Sequence, residues 1–233
     1  MDGTHAPAPM RGRSQPARAE IAQHPRLTVL EHPLLATQVT LLRDIRTPAP
    51  EFTRAIEEVT RFLLWAALAD TATAPMPVPG HSGTPVPGHR LAERVAALAI
   101  LRAGLGMLEP IRNLLPSAPL YQIGVRRDEA TLQPTVYYTN LPESYAEIDH
   151  LLLLDPMLAT GGSLRAALEI VREGYHGRVS ALGIIGAPLG VQTMLDADPE
   201  VRIFLAALDD HLNDRGFIIP GLGDAGDRIF GTL

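Results

Sequence analysis

The chain has no cysteine among its 233 residues, which excludes disulfides, thiol catalysis and cysteine-ligated metals. It has a single tryptophan. No apolar run approaches the roughly 20 residues a membrane-spanning helix needs, so no membrane partner is expected. The N-terminus carries Arg11, Arg13 and Arg18 but no apolar segment behind them. It therefore lacks the pattern of a secretory signal, and a cytoplasmic location is the expectation. The eight His show no HExxH or similar ligand spacing, so no metal site built from protein alone is expected. The net charge of −6 and pI of about 5.7 disfavour a broad nucleic-acid surface but leave room for a local phosphate site. What is present is apolar: 46% hydrophobic residues support a substantial core in one sizeable domain or two small ones.

Residues 1–22, rich in Pro, Ala, Arg and Gly, read as a disordered extension. The region from His24 to Asp44 reads as an arm and a first helix. Glu51 to Ala69 predicts a helix with Phe52, Ala55, Ile56, Val59, Phe62 and Leu63 on one stripe, and Trp65 near its end reads as packing. Five prolines between Thr71 and His89 argue against a central strand and for an irregular or edge hairpin. Short apolar strands then follow: Ala96 to Leu101, Leu120 to Val125, Leu151 to Leu154, Val179 to Ile185 and Val201 to Ala207. Val136 to Thr139 reads as a hairpin strand. Helices over Leu164 to Glu173 and Val191 to Ala197 give alternating βα units. That order predicts an α/β fold, an open, mainly parallel sheet with helices on both faces. Ligands in such sheets bind at the carboxyl ends of the strands, where Arg102, Asp155 and Pro188 stand.

The most informative stretch is LLLLDPMLATGGS, from Leu151 to Ser163. A buried strand ends at Asp155, and Thr160-Gly161-Gly162-Ser163 opens a helix. Unpaired N–H groups at a helix start carry the positive end of its dipole. Gly161 and Gly162 hold no side chain between backbone and anion, and Thr160 and Ser163 add hydroxyl donors. No Lys follows the glycines, so this is not a P-loop. The G-x-G-x-x-G spacing of a dinucleotide loop is absent. An acid followed by T-G-G-S suits a sugar phosphate, with the carboxylate on ribose hydroxyls. The plain alternative is a βα turn whose Gly and Ser serve only turn and cap geometry.

This loop resembles the 5-phospho-α-D-ribose 1-diphosphate (PRPP) loop of the type I phosphoribosyltransferases, in the version found in the uracil phosphoribosyltransferases. Two further stretches resemble that family in the same order. ILRAGLGM, Ile100 to Met107, is similar to its pyrophosphate-side loop, and GFIIPGLGDAGDRIFGT, Gly216 to Thr232, to its uracil-binding segment. The resemblance runs from about Val29 to Leu233. It implies one domain over residues 23–233 with a β-arm-like insertion at 71–92, a mobile loop at 126–140 and a uracil-binding hood at 209–233.

The implied activity is that of a pentosyltransferase making UMP and diphosphate from uracil and PRPP in pyrimidine salvage. Positioning and electrostatics dominate such a transfer, because the leaving group is highly charged and the ribose becomes oxocarbenium-like. An Arg fork at position 102 suits a pair of pyrophosphate oxygens, against the plainer role of an ion pair. The resemblance also implies a non-proline cis peptide between Leu101 and Ala103. Arg127, in the charged turn Arg126-Arg127-Asp128-Glu129, aligns with the family's second pyrophosphate arginine, whereas charge clusters usually form a solvated face. The PRPP-contacting set by resemblance is Arg102, Arg127, Asp155, Pro156, Met157, Leu158, Ala159, Thr160, Gly161, Gly162, Ser163 and Asp224. Of these, Arg102, Arg127, Asp155 and Asp224 take the catalytic roles.

Ile218, Gly223, Asp224 and Ala225 form the uracil set, offering backbone groups to the carbonyl and N3–H edge. Taken alone, this stretch also reads as a terminal loop with Gly for turns. Mg²⁺ is expected to arrive mainly on PRPP, since it favours few carboxylates plus phosphate oxygens. A homodimer or higher homo-oligomer is implied, with GTP as an effector in some members. The chain departs from the family at Trp65-Ala66, where Tyr-Glu is typical, at Arg126, where an aromatic is common, and in the sequence of the 71–89 stretch. Alternatives are a transferase for a purine or orotate, a PRPP-fold regulatory protein sensing uridine nucleotides, and a scaffold.

Overall fold

The structure is a computed structural model that describes residues 15–127 and 134–232. Its first elements are α1 (Arg18–Ala22), β1 (Leu27–Val29), α2 (Pro33–Arg43) and α3 (Ala49–Ala67). The proline-rich stretch gives β2 (Thr73–Pro75), β3 (Val78–Pro79), β4 (Pro85–Val86) and β5 (His89–Leu91). Next come β6 (Val95–Leu101), a 3-10 turn over Ala103–Met107, α4 (Leu108–Leu114), β7 (Leu120–Arg127) and β8 (Pro134–Asn140). The second half holds β9 (His150–Leu154), β10 (Met157–Leu158), α5 (Gly162–Arg172), β11 (Arg178–Gly186), α6 (Pro188–Ala197) and β12 (Arg202–Leu208). It closes with β13 (His211–Leu212), β14 (Ile218–Ile219) and α7 (Ala225–Phe230).

The apolar runs become one sheet in the order β1-β12-β11-β9-β6-β7-β8, with β10 continuing beside β11. All pairs are parallel except β7 with β8. The inner strands are buried on both faces, which is why they read as unbroken apolar runs rather than alternation. Alternate residues still separate. Val95, Ala97, Ala99, Leu152 and Leu154 join one core with residues of α2, α3, α4 and α7. Ala96, Leu98, Ile100, Leu151 and Leu153 join the other with α1, α5 and α6.

From β6 the chain moves outward to β7, then returns to place β9 on the other side of β6 and continues away through β11 and β12. The direction of winding therefore reverses between β6 and β9. A crevice opens at such a reversal, at the carboxyl ends of the strands.

Three expectations need correction. The disordered extension was expected to reach Ala22, but Arg18–Ala22 is helical. Ile21 is buried against β1 and α6, and Arg18 Nε donates to the Leu208 carbonyl at 2.9 Å. One apolar residue and backbone-directed polar contacts order this segment, too little for composition to register. Residues 1–14 lie outside the described residues. Trp65, expected to pack, is 71% exposed, because the buried stripe of α3 runs through Leu63, Leu64 and Ala67 and leaves position 65 outside. The loop expected over 126–140 has strand arms, with Arg126 opposite Thr135 and Gln122 opposite Asn140. Residues 128–133 lie outside the described residues. The proline-rich stretch forms the expected hairpin off the main sheet, with β2 on β5 and β3 on β4.

Candidate active site at the switch between β6 and β9

Arg102 and Asp155 follow the two strands that flank the crevice. The Leu101–Arg102 peptide is cis, in the loop where the resemblance put one. A side chain at Gly104 would lie 2.5 Å from the Leu154 carbonyl, so glycine lets the Arg102 loop sit directly on the end of β9. Arg102 is half exposed, and its Nη2 donates to Asp227 Oδ1 at 2.9 Å. The Thr232 hydroxyl and then the Arg102 guanidinium hold the Asp227 carboxyl below the usual range. The Asp155 carboxylate has one described partner, the Met157 N–H at 3.2 Å. Desolvation pushes its carboxyl up to about 7.

The glycine turn has the shape expected. Gly161 is left-handed (φ 79°) and precedes α5 with no side chain capping the helix. A Cβ there would meet the Gly190 carbonyl at 2.8 Å and Thr193 Cβ at 2.9 Å. Gly190 in turn leaves room for the Leu158 and Ala159 carbonyls, each 2.5 Å from where its Cβ would be. Thr160 Oγ1 accepts from the Gly162 N–H at 3.4 Å. The start of α5 thus presents the helix-end N–H of Ser163, beside that of Gly162 resting on Thr160 Oγ1, with α6 packed behind.

Not every residue of the expected PRPP set presents a side chain to this space. Leu158 is 2% exposed, sits in the core beneath α5, and spends its carbonyl on the Ala187 N–H at 2.9 Å. Pro156 is buried and its carbonyl accepts from Ile184 and Ile185. Any contact they make runs through the shape of the backbone. Arg127 ends β7, and its side chain lies outside the described residues.

Met157 and Ala159 line one wall of a cavity of about 270 Å³. The opposite wall is Gly216 to Gly223, so the PRPP-loop and uracil-segment candidates share one space. Of the uracil set, Ile218 and Gly223 line it. Asp224 and Ala225 open α7 beside it, with Asp224 Oδ1 accepting from the Asp227 N–H at 2.9 Å as the helix cap. Gly221 has φ 71°, and a Cβ there would stand 2.3 Å from the Ile218 carbonyl. The Ile219–Pro220 peptide is also cis.

Four residues that sequence reasoning missed hold these parts. The buried Asp209 carboxylate accepts from the Gly221 N–H at 2.8 Å and pairs with both ends of the Arg43 fork. Arg43 Nη1 also donates to the Gly221 carbonyl at 2.8 Å. Arg228 donates to the carbonyls of Leu222, Leu42 and Asp44 and lies over the Phe52 ring at 4.0 Å. Asp227 is the fourth, as the partner of Arg102. No group of three or more His, Cys, Asp or Glu stands where it could hold a metal among the described residues. Asp155 and Asp224 are single carboxylates, a donor set that fits Mg²⁺ only when phosphate oxygens supply the other ligands.

A parallel sheet with its crevice at the winding reversal, an acid there, and a glycine turn opening the next helix define the class: a type I phosphoribosyltransferase. The solved adenine phosphoribosyltransferase of Trypanosoma brucei shares this fold at a TM-score of 0.52 and 15% identity, over 80% of this chain and 85% of that one. A solved structure from Aquifex aeolicus is more similar, with a TM-score of 0.81 and 36% identity over 88% of this chain and 97% of its own. The uracil phosphoribosyltransferase family model matches residues 29–232. A uracil phosphoribosyltransferase of Roseiflexus castenholzii is 48% identical over 204 residues, 88% of this chain and 97% of the relative. One from Symbiobacterium thermophilum is 43% identical over 211 residues, 89% and 99% respectively. The chain belongs to the uracil phosphoribosyltransferase family.

Proposed function

We propose that the protein transfers the phosphoribosyl group of PRPP to a ring nitrogen of uracil, releasing diphosphate and forming UMP. The observation that carries this reading is the shared space: Met157 and Ala159, from the loop between Asp155 and the glycine turn, line one cavity with Gly216 to Gly223, and Arg102 is joined to α7, which opens directly after that segment. In this reading the N–H groups of Gly162 and Ser163 take the 5′-phosphate, with Thr160 and Ser163 hydroxyls adding donors. The Asp155 carboxylate accepts from the ribose hydroxyls. Arg102 leaves Asp227 to take diphosphate oxygens, joined by Arg127. Charge leaving C1 is thereby met by fixed donors, which lowers the barrier without rearrangement during the step. Mg²⁺ carried by PRPP supplies further neutralisation of the leaving diphosphate, with Asp224 as the nearby carboxylate.

Backbone groups of Ile218, Gly223 and Ala225 read the uracil edge. Cytosine carries an amino group where uracil has a carbonyl and leaves polar groups unpaired, so it is rejected. A homodimer or larger homo-oligomer accords with the exposed apolar side chains Leu34, Ile45 and Trp65. No helix among the described residues is long and apolar enough to cross a membrane.

The test is an assay of labelled uracil with PRPP and Mg²⁺, with cytosine, orotate, adenine and hypoxanthine as controls and GTP added in a parallel series. UMP from uracil alone is the expected result. Product from another base, or from none, overturns it, and the second outcome leaves the uridine-nucleotide sensor.

A further inference from the structure

The hairpin that roofs the base cavity is small. β13 and β14 pair only as His211 with Ile219 and Leu212 with Ile218, and an isolated two-stranded hairpin is marginal in water. Its inner edge is closed by the Asp210 N–H on Ile219 (3.0 Å) and the Asn213 N–H on Phe217 (2.9 Å). Leu212 turns its own N–H and C=O the other way, and Gln15 meets both. The Gln15 amide nitrogen donates to the Leu212 carbonyl at 2.8 Å, and its oxygen accepts from the Leu212 N–H at 2.8 Å. A side-chain amide thus completes the β13 edge as a neighbouring strand would. Arg18 grips the chain just before the hairpin, donating to the Leu208 carbonyl at 2.9 Å and standing 3.7 Å from Asp210. Ile21, 2% exposed, fixes this segment on α6, the helix packed behind the glycine turn. The Leu212 side chain is itself buried in the core that includes Ile218 and Leu222, so the edge that Gln15 holds is tied to the cavity wall.

We infer that Gln15, Arg18 and Ile21 are positioning residues that strap the roof of the base cavity. The uracil affinity of this protein then depends on a segment preceding the family-matched residues 29–232. The inference rests on the reading of the cavity as the uracil site. Its test separates the two by measuring the strap without substrate.

In the full-length chain, hydrogen exchange at the Leu212 amide is followed in Gln15→Ala and Gln15→Glu, alongside steady-state kinetics. Gln15→Ala removes both bonds. Exchange at Leu212 speeds up about tenfold while Leu152 and Leu153 in β9 stay protected. The KM for uracil rises about three- to tenfold, and that for PRPP moves by less than about twofold, as expected for the loss of one or two hydrogen bonds. Gln15→Glu keeps the acceptor and loses the donor, so Leu212 retains intermediate protection. Unchanged exchange at Leu212 overturns the strap. Equal rises in both KM values overturn its link to the base. A wild-type protein inactive on uracil, with Leu212 still deprotected by Gln15→Ala, sinks the uracil reading and leaves the strap standing.

Discussion

The Asp155 carboxyl lies where desolvation opposes its charge, which pushes it up to about 7 from the ordinary carboxylate value. Between about pH 4 and 7 the folded protein keeps a proton that the unfolded chain has released. Its contribution to ligand-free stability therefore declines as pH rises through that window. Asp155→Asn removes this decline. Relative to wild type, the thermal midpoint of the variant should be nearly level at pH 4 and increasingly higher toward pH 8. The same substitution should cut kcat/KM for PRPP by about 10- to 100-fold, the scale of a lost hydrogen bond to a charged group. The acidic limb of the wild-type kcat/KM profile should fall near pH 7, where ligand-free Asp155 takes up its proton.

Arg102→Ala should raise the KM for PRPP and lower kcat, and Arg102→Lys should restore little, because a single ammonium does not reproduce the guanidinium fork. Steady-state kinetics with PRPP varied at saturating uracil checks both. The sequence marked Arg102 and Asp155 because each ends an apolar run. It did not single out Asp227 over Asp224, because the contact to Arg102 spans 125 positions and has no local pattern.

Elements are placed by glycines on one side of the crevice and by arginines on the other. Gly161→Ala forces a left-handed residue to carry a Cβ into the Gly190 carbonyl and Thr193. The variant should lose about 2 kcal/mol in denaturant unfolding, with weaker PRPP binding by titration. Arg43→Ala strands the Asp209 carboxylate, whose side chain is 3% exposed. Breaking such a pair costs about 3–5 kcal/mol, and the released Gly221 should raise the KM for uracil more than that for PRPP. The start of α5 was legible because an acid, two glycines and hydroxyl residues stand together before an amphipathic run. Helix α7 carries no helical expectation in the sequence although its signals are local: Asp224 caps it and Gly231 ends it in the left-handed region. Six residues carry too little periodicity to register. The three-residue β1 was missed for the same reason, and is a strand because Leu27 to Val29 pair with Ile203 to Leu205.

Across the whole molecule, the order of apolar runs gave the sheet class, but strand order decided where the crevice falls. The return of the chain from β8 to β9 across β6 is a long-range choice with no local marker. At the opposite end of the sheet, His150 is buried with Nε2 2.9 Å from Ser180 Oγ. Desolvation, with Arg178 adding to it, lowers its pKa to about 3. The unfolded chain protonates this residue near its ordinary value while the folded protein does not. Stability is therefore lost as pH falls from about 6.5 toward 3. His150→Gln should be less stable than wild type at pH 8, and the deficit should shrink by pH 4.5 in chemical denaturation. A constant deficit would show that His150 does not titrate with unfolding.

The central claim is that three segments far apart in sequence meet around one nucleotide. A crystal structure with UMP and diphosphate bound tests it most directly. The account predicts the 5′-phosphate on the amides of Gly162 and Ser163, ribose hydroxyls on Asp155, diphosphate on Arg102, and the base between Met157 and the Gly216 to Gly223 wall. UMP bound with its base away from that wall, or its phosphate away from α5, would contradict it.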